Sequence, residues 1–143
     1  MAIKLTDELR TNLIARATEV REKAYTPYSN YKVGAALLTA SGKYYSGCNI
    51  ENAAYPDSIC AERVAVFKAV SDGEYEFTAI AVVTSNGGTP CGSCRQVLAE
   101  FGLDTLVIIA DVNGLVKQET RLADLLPGAA IVRSSHRTTT HPL

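Results

Sequence analysis

Residues 78–111, TAIAVVTSNGGTPCGSCRQVLAEFGLDTLVIIAD, hold the pattern on which the fold turns. TAIAVVTS is short, apolar and β-branched, the composition of a strand buried on both faces. NGGTP breaks it as a loop. Cys91 then opens a helix that runs to about Phe101 and stops before Gly102, and TLVIIADVNG supplies a second buried strand with a turn after it. Strand, helix and strand in succession argue for a layered α/β domain.

The alternation continues in both directions from there. Upstream, Thr6 can cap a helix with Asp7 and Glu8 in its first turn, and Leu9, Leu13, Ala17, Val20 and Ala24 recur along it at helical spacing. Its end is expected before Pro27. YTPYSNY is irregular, and VGAALLTASGKYYSGCNI sets two apolar stretches on either side of Ser41 and Gly42, as in a β-hairpin. ENAAYPDSI is a loop around Pro56 and Asp57, followed by a helix from Cys60 to about Ser71 that Asp72 and Gly73 end. Downstream, LVKQET reads as a shorter edge strand and RLADLLPG as a last short helix. The expected architecture is a three-layer α/β/α sandwich with a mixed five-stranded sheet, one domain over residues 1–132. The polar tail RSSHRTTTHPL, residues 133–143, is expected to be partly disordered, with His136 and His141 solvated.

At 143 residues the chain can bury about two-thirds of its unfolded surface and fold without disulfide staples. Fourteen basic against fifteen acidic residues leave a formal charge of −1, which offers no field to attract a polyanion and speaks against an editor of polynucleotides. The stretch MAIKLTDELR has no apolar signal region, and no segment approaches the roughly 18 apolar residues of a membrane span, so a cytoplasmic location is expected. In that compartment thiols stay reduced, and clustered cysteines bind metal or do chemistry.

Three of the four cysteines, Cys60, Cys91 and Cys94, fall at the starts of two predicted helices. Helix N-termini present unpaired N–H groups and positive dipole character, which favour thiolates. Cys91-x-x-Cys94 alone fits a redox dithiol or half of a structural zinc site equally well. Cys60 raises the count to three, and three protein ligands leave one tetrahedral position open, the mark of a catalytic zinc. Glu62 stands two residues from Cys60, although a first-turn Glu also simply complements a helix dipole.

CAE and PCGSC together fit the pattern of zinc deaminases, His or Cys before x-Glu and then Pro-Cys-x-x-Cys. YTPYSNYKVGAAL, GCNIENAAYP, ICAER, PCGSCRQVLAEF and LLPG follow in order from about Tyr25 to Pro127. By these blocks the chain resembles the short-chain, three-cysteine cytidine deaminases. The resemblance implies a Zn2+ cofactor held by Cys60, Cys91 and Cys94, with Glu62 as the catalytic proton shuttle. It implies substrate contacts from Asn49 and Glu51 to the sugar, from Tyr31 to the base, and from the Ala61 N–H to the base carbonyl. Tyr55 is implied to reach the ribose end of a neighbouring subunit's substrate. Read from the residues alone, Asn49 and Glu51 suit ribose hydroxyls or turn chemistry equally.

The implied reaction is hydrolytic deamination of cytidine and 2′-deoxycytidine to uridine and 2′-deoxyuridine with release of ammonia, serving pyrimidine salvage. The implied partners are a small-molecule nucleoside and sister subunits in a homotetramer with shared sites, with no nucleic acid polymer and no membrane. Three thiolates on Zn2+ sum to −1 and weaken its Lewis acidity, so Arg63 is expected to donate to the sulfurs, its alternative being a surface helix cation.

Two positions depart from the family. Tyr31 stands where phenylalanine is common, and its hydroxyl needs a partner. Ala129, Ala130 and Ile131 follow LLPG where the family usually carries a phenylalanine. Both changes point to a broadened range that includes modified cytidines, or to another amino-substituted substrate such as an aminoacyl nucleoside antibiotic or an N4-modified cytidine. Outside enzymes, the alternatives are a zinc-stabilised interaction module with Cys48 as fourth ligand, and a redox protein. Otherwise Cys48 reads as a small buried apolar residue.

Overall fold

The computed structural model describes residues 3–132. The tail with His136 and His141 lies outside the described residues. Helix α1 (Asp7–Arg21) is followed by strands β1 (Gly34–Thr39) and β2 (Tyr44–Cys48), then a 3-10 turn (Tyr55–Asp57), helix α2 (Ala61–Ser71), strand β3 (Phe77–Thr84) and helix α3 (Gly92–Ala99). Strands β4 (Leu106–Asp111) and β5 (Val116–Arg121) and the short helix α4 (Leu122–Leu125) complete the order. The five strands lie in the order β2-β1-β3-β4-β5, parallel only between β3 and β4 and antiparallel elsewhere. The sheet is mixed and five-stranded, as expected.

Side-chain alternation divides the core between its two faces. Ala36 and Leu38 of β1, with Ala79, Ala81 and Val83 of β3, pack against Leu13 and Ala17 of α1. Ala35, Leu37, Ile80 and Val82 turn the other way, towards residues of α2, α3 and α4 that include Ala65, Leu98 and Leu122. The result is three layers, with both cysteine-bearing helices on the same face. Among the described residues, no helix is long and apolar enough to cross a membrane.

Local signals account for most boundaries. The Thr6 hydroxyl accepts from the Leu9 N–H at 3.2 Å and caps α1. Gly42, at φ +95°, makes the hairpin turn in a conformation that other residues rarely adopt. Helix α1 ends earlier than its apolar spacing predicts, at Arg21 rather than Ala24. Beyond it the Tyr25 N–H donates to the Asn49 carbonyl (3.0 Å) and the Glu51 N–H to the Tyr25 carbonyl (2.9 Å), and that pairing requires extended backbone.

Gly47 sets how closely α2 lies on the sheet. A Cβ there would meet the Ala65 nitrogen at 2.6 Å and the Ala61 oxygen at 2.7 Å, both of them helix backbone. Since Cys60 is the residue just before α2, the depth of this contact also sets the height of that cysteine. Gly47→Ala is expected to destabilise the protein by about 1–3 kcal/mol, the range for overpacking a close contact. Gly92→Ala, at a helical position with nothing within 4 Å, is expected to be neutral or slightly stabilising. Paired thermal denaturation checks this, and equal melting temperatures for the two variants would refute the close-packing account.

Candidate metal centre and pocket

Helices α2 and α3 begin beside each other, and their first residues bring the three cysteines together. Cys60 is the N-cap of α2 and Cys91 that of α3, where its sulfur accepts from the Cys94 N–H at 3.5 Å. The Sγ atoms all lie within 4.8 Å of one another, with Cys60 to Cys91 at 3.9 Å and Cys91 to Cys94 at 3.5 Å. A tetrahedral zinc with Zn–S bonds of about 2.3 Å requires sulfurs about 3.8 Å apart. The donor set therefore fits that ion in both chemistry and spacing. Among the described residues no other group of three His, Cys, Asp or Glu ligand atoms is gathered this way, and Cys48, half-buried at the end of β2, is outside the triangle.

The electrostatics favour negative charge on the Cys60 sulfur. The Arg63 guanidinium donates to the Cys60 sulfur at 3.2 Å, and its buried Nε has no partner among the described residues. Hydrogen bonding from Cys94, helped by Arg63, brings the Cys60 thiol down to about 5, while donation to that same sulfur and burial push the Cys94 thiol up. These are two sides of one effect: the pair carries a single charge, stabilised on Cys60. Glu62 is 5% exposed, and burial is the main reason its carboxyl rises to about 7. The nearby Cys60 charge adds to the rise and Arg63 opposes it.

These groups form one end of a cleft of about 770 Å³, within the range of small-ligand sites. Cys60, Ala61, Glu62, Arg63 and Cys91 line it, as does Thr84 at the carboxyl end of β3. In open α/β sheets that end is where crevices form. Tyr31, Asn49, Glu51 and Tyr55 line the same cleft, so every residue singled out for substrate contact in the sequence converges on it. Tyr55 is 86% exposed at its mouth.

Asn49 and Glu51 do more than face the cleft. The Asn49 amide accepts from the Val33 N–H and donates to the Tyr31 carbonyl, each at 2.8 Å. Glu51 accepts from the backbone N–H groups of Tyr28 (3.0 Å) and Ser29 (3.1 Å) and from the Ser29 hydroxyl. Those bonds, the Ser29 hydroxyl first, hold its carboxyl below the usual range. Both side chains thus clasp the irregular 26–33 segment against the cleft, leaving Asn49 one N–H and both residues some acceptor capacity for a ligand.

Two supports had no signal in the sequence. Arg95 ties the cysteine loop down by donating to the Pro90 carbonyl (2.8 Å), the Thr89 hydroxyl (3.1 Å) and the Leu125 carbonyl of α4 (3.0 Å). Asn86 accepts the Tyr31 hydroxyl at 2.8 Å and so supplies the partner which that hydroxyl needs. Ala129, Ala130 and Ile131 do not line the cleft of their own chain; Ala130 is held by its carbonyl, which accepts from Gln96 at 3.1 Å.

Comparison with known proteins agrees with this geometry. The family described as the cytidine and deoxycytidylate deaminase zinc-binding region matches residues 7–110, across all three clustered cysteines. The chain is similar to a cytidine deaminase of Sporosarcina psychrophila, 53% identical over 120 residues that cover 82% of this chain and 88% of that protein. A crystal structure of cytidine deaminase from Burkholderia pseudomallei superposes with a TM-score of 0.80 at 48% identity, covering 88% of this chain and 100% of that one. A more distant relative, a blasticidin-S deaminase of Bacillus cereus, is 32% identical over 126 residues, 80% of this chain and 87% of that protein. With a family match that spans the whole metal centre and relatives this similar over four-fifths of its length, the chain belongs to the zinc-binding cytidine and deoxycytidylate deaminase family.

Proposed function

We propose that the protein hydrolyses cytidine and 2′-deoxycytidine to uridine and 2′-deoxyuridine, releasing ammonia. The observation that carries this reading is the sulfur triangle beside a buried carboxyl of raised pKa at the end of a nucleoside-sized cleft. Cys60, Cys91 and Cys94 hold the zinc, and Arg63 moderates the charge of their sulfurs. When bound, zinc supplies the Lewis acidity that brings the pKa of a water from about 15.7 towards about 7.

Glu62 moves the protons. Its carboxylate accepts one from the attacking water and delivers it to ring N3, then takes the second from the hydroxyl now on C4 and gives it to the departing 4-amino group, without which ammonia leaves poorly. A carboxyl with a pKa near the working pH can both accept and give. The Ala61 N–H, at the head of α2, meets the base carbonyl, and the remaining capacity of Asn49 and Glu51 meets ribose hydroxyls. Tyr31 forms a wall for the base.

The catalytic domain comprises residues 1–132, with 133–143 as an appended tail, and works in cytoplasmic pyrimidine salvage. The exposed side chains of Tyr25, Tyr28, Ile50 and Tyr55 around the cleft support assembly into a homotetramer in which a neighbour's Tyr55 completes each site. Sedimentation of the zinc-loaded chain at monomer mass would refute that assembly.

The segment that follows LLPG supports a wider substrate range. The Ala129 to Ile131 segment carries no aromatic ring, and similarity to a relative named blasticidin-S deaminase favours a range wider than cytidine and 2′-deoxycytidine. A panel of cytidine, 2′-deoxycytidine and N4-substituted cytidines tests this. Cytidine and deoxycytidine are expected to turn over, with N4-alkyl analogues within about tenfold in kcat/KM, the scale of one methylene in a tolerant pocket. Strict rejection of every substituent would end the broadened-range reading and leave the deaminase reading intact.

A further inference from the structure

We infer that the Tyr31 hydroxyl and Asn86 form a positioning strut that locks the wall of the pocket to the loop carrying Cys91, and that this rigidity sets how tightly the pocket holds its substrate. The inference rests on the reading of this cleft as the nucleoside site. Two hydroxyls converge on one acceptor, and a backbone N–H supports one of them. The Tyr31 hydroxyl donates to Asn86 Oδ1 at 2.8 Å, the Thr84 hydroxyl donates to the same oxygen at 3.2 Å, and the Gly88 N–H donates to the Thr84 hydroxyl at 2.9 Å. Both lone pairs of the Asn86 oxygen are then used, and the Thr84 hydroxyl is satisfied as donor and acceptor.

The loop is shaped around that hydroxyl. A Cβ at Gly88 would lie 3.0 Å from the Tyr31 oxygen, 3.7 Å from Asn86 Oδ1 and 4.0 Å from the Thr84 hydroxyl, touching each member of the network. Only a bare backbone fits there without displacing a neighbour. Tyr31, Thr84, Gly88 and Cys91 all line the cleft, whereas Asn86 does not, so Asn86 acts on the site only through Tyr31 and the loop.

The backbone at Tyr31 is already held by Asn49, which bonds the Tyr31 carbonyl and the Val33 N–H. Tyr31 is 37% exposed and lines the cleft, where a phenylalanine would have no polar anchor at its tip. Fixing base and tip together removes the ring's freedom before a ligand arrives, so that ordering no longer costs free energy on binding. A wall that is equally rigid in the ground and transition states changes KM rather than kcat.

Tyr31→Phe, Asn86→Ala, Asn86→Asp and the Tyr31→Phe/Asn86→Ala pair, compared with the parent as zinc-loaded proteins, test the strut. Tyr31→Phe and Asn86→Ala are each expected to raise the KM for cytidine about 3- to 10-fold, the worth of one hydrogen bond, with kcat within about twofold. Asn86→Asp keeps the acceptor and restores the parent KM. The double variant is no worse than the poorer single one, because both remove the same bond. Without any substrate, hydrogen–deuterium exchange across residues 84–90 is expected to quicken in Tyr31→Phe and Asn86→Ala and to stay parental in Asn86→Asp. Parental exchange in Tyr31→Phe, an unchanged KM, or multiplying effects in the pair would each overturn the proposal. Failure of the parent to turn over cytidine would count against the nucleoside reading, while the exchange data would still decide the strut.

Discussion

Glu62→Gln will lower kcat for cytidine by about 10³- to 10⁴-fold, the upper part of the range for losing one general acid–base group. The upper part applies because the account gives this one carboxyl every proton movement in the reaction. Glutamine keeps the size and most of the hydrogen-bonding capacity of glutamate, so the packing at a position only 5% exposed survives. What it loses is the ability to accept a proton and give it back. The carboxyl it replaces is poised by burial at about 7, where it exchanges protons readily near neutrality. Metal analysis must accompany the kinetics: the prediction is one zinc per chain in parent and variant, with the loss confined to turnover. Retention of activity within tenfold would assign the proton shuttle to another group.

Replacing any one of Cys60, Cys91 or Cys94 with alanine will abolish measurable deamination together with stoichiometric zinc, whereas Cys48→Ala will keep both. Removing even an outer hydrogen-bond partner of a ligand costs about 10- to 100-fold in metal affinity, and a missing thiolate costs more. Cys48 lies outside the triangle that the other three form, so no metal bond is lost with it. Zinc loss in Cys48→Ala would instead show a closed four-thiolate centre and favour an interaction module. The metal-depleted variants are expected to stay folded by far-UV circular dichroism. Both apolar layers are built from side chains of the sheet and helices that do not depend on the sulfur triangle. Collapse of the fold on zinc loss would mark the ion as structural.

How much of this was legible in the sequence depends on the range over which each signal acts. The strands read in TAIAVVTS and TLVIIADVNG, the hairpin around Gly42, the cap at Thr6 and the helix starts at Cys60 and Cys91 are local features, written in composition and turn chemistry, and the structure has them all. The metal triangle was legible because cysteine is scarce and its spacing specific. The end of α1 was not, since Tyr25 leaves the helix to pair with a segment some 25 residues on, through Asn49 and Glu51. The clasp by Asn49 and Glu51 on residues 26–33 escaped for the same reason: side-chain alternation shows a shared face and not what covers it. Asn86 had no signal at all. In NGGTP it reads as an ordinary turn residue, and its bond to Tyr31 spans 55 positions.

Zinc-dependent deamination is checked by titrating zinc into metal-depleted protein while uridine and ammonia are followed together. Both products are expected to form in equal amounts from cytidine, at a rate that rises in proportion to zinc and levels off at one zinc per chain. Binding of one zinc per chain without uridine, or equal turnover in its absence, would contradict it.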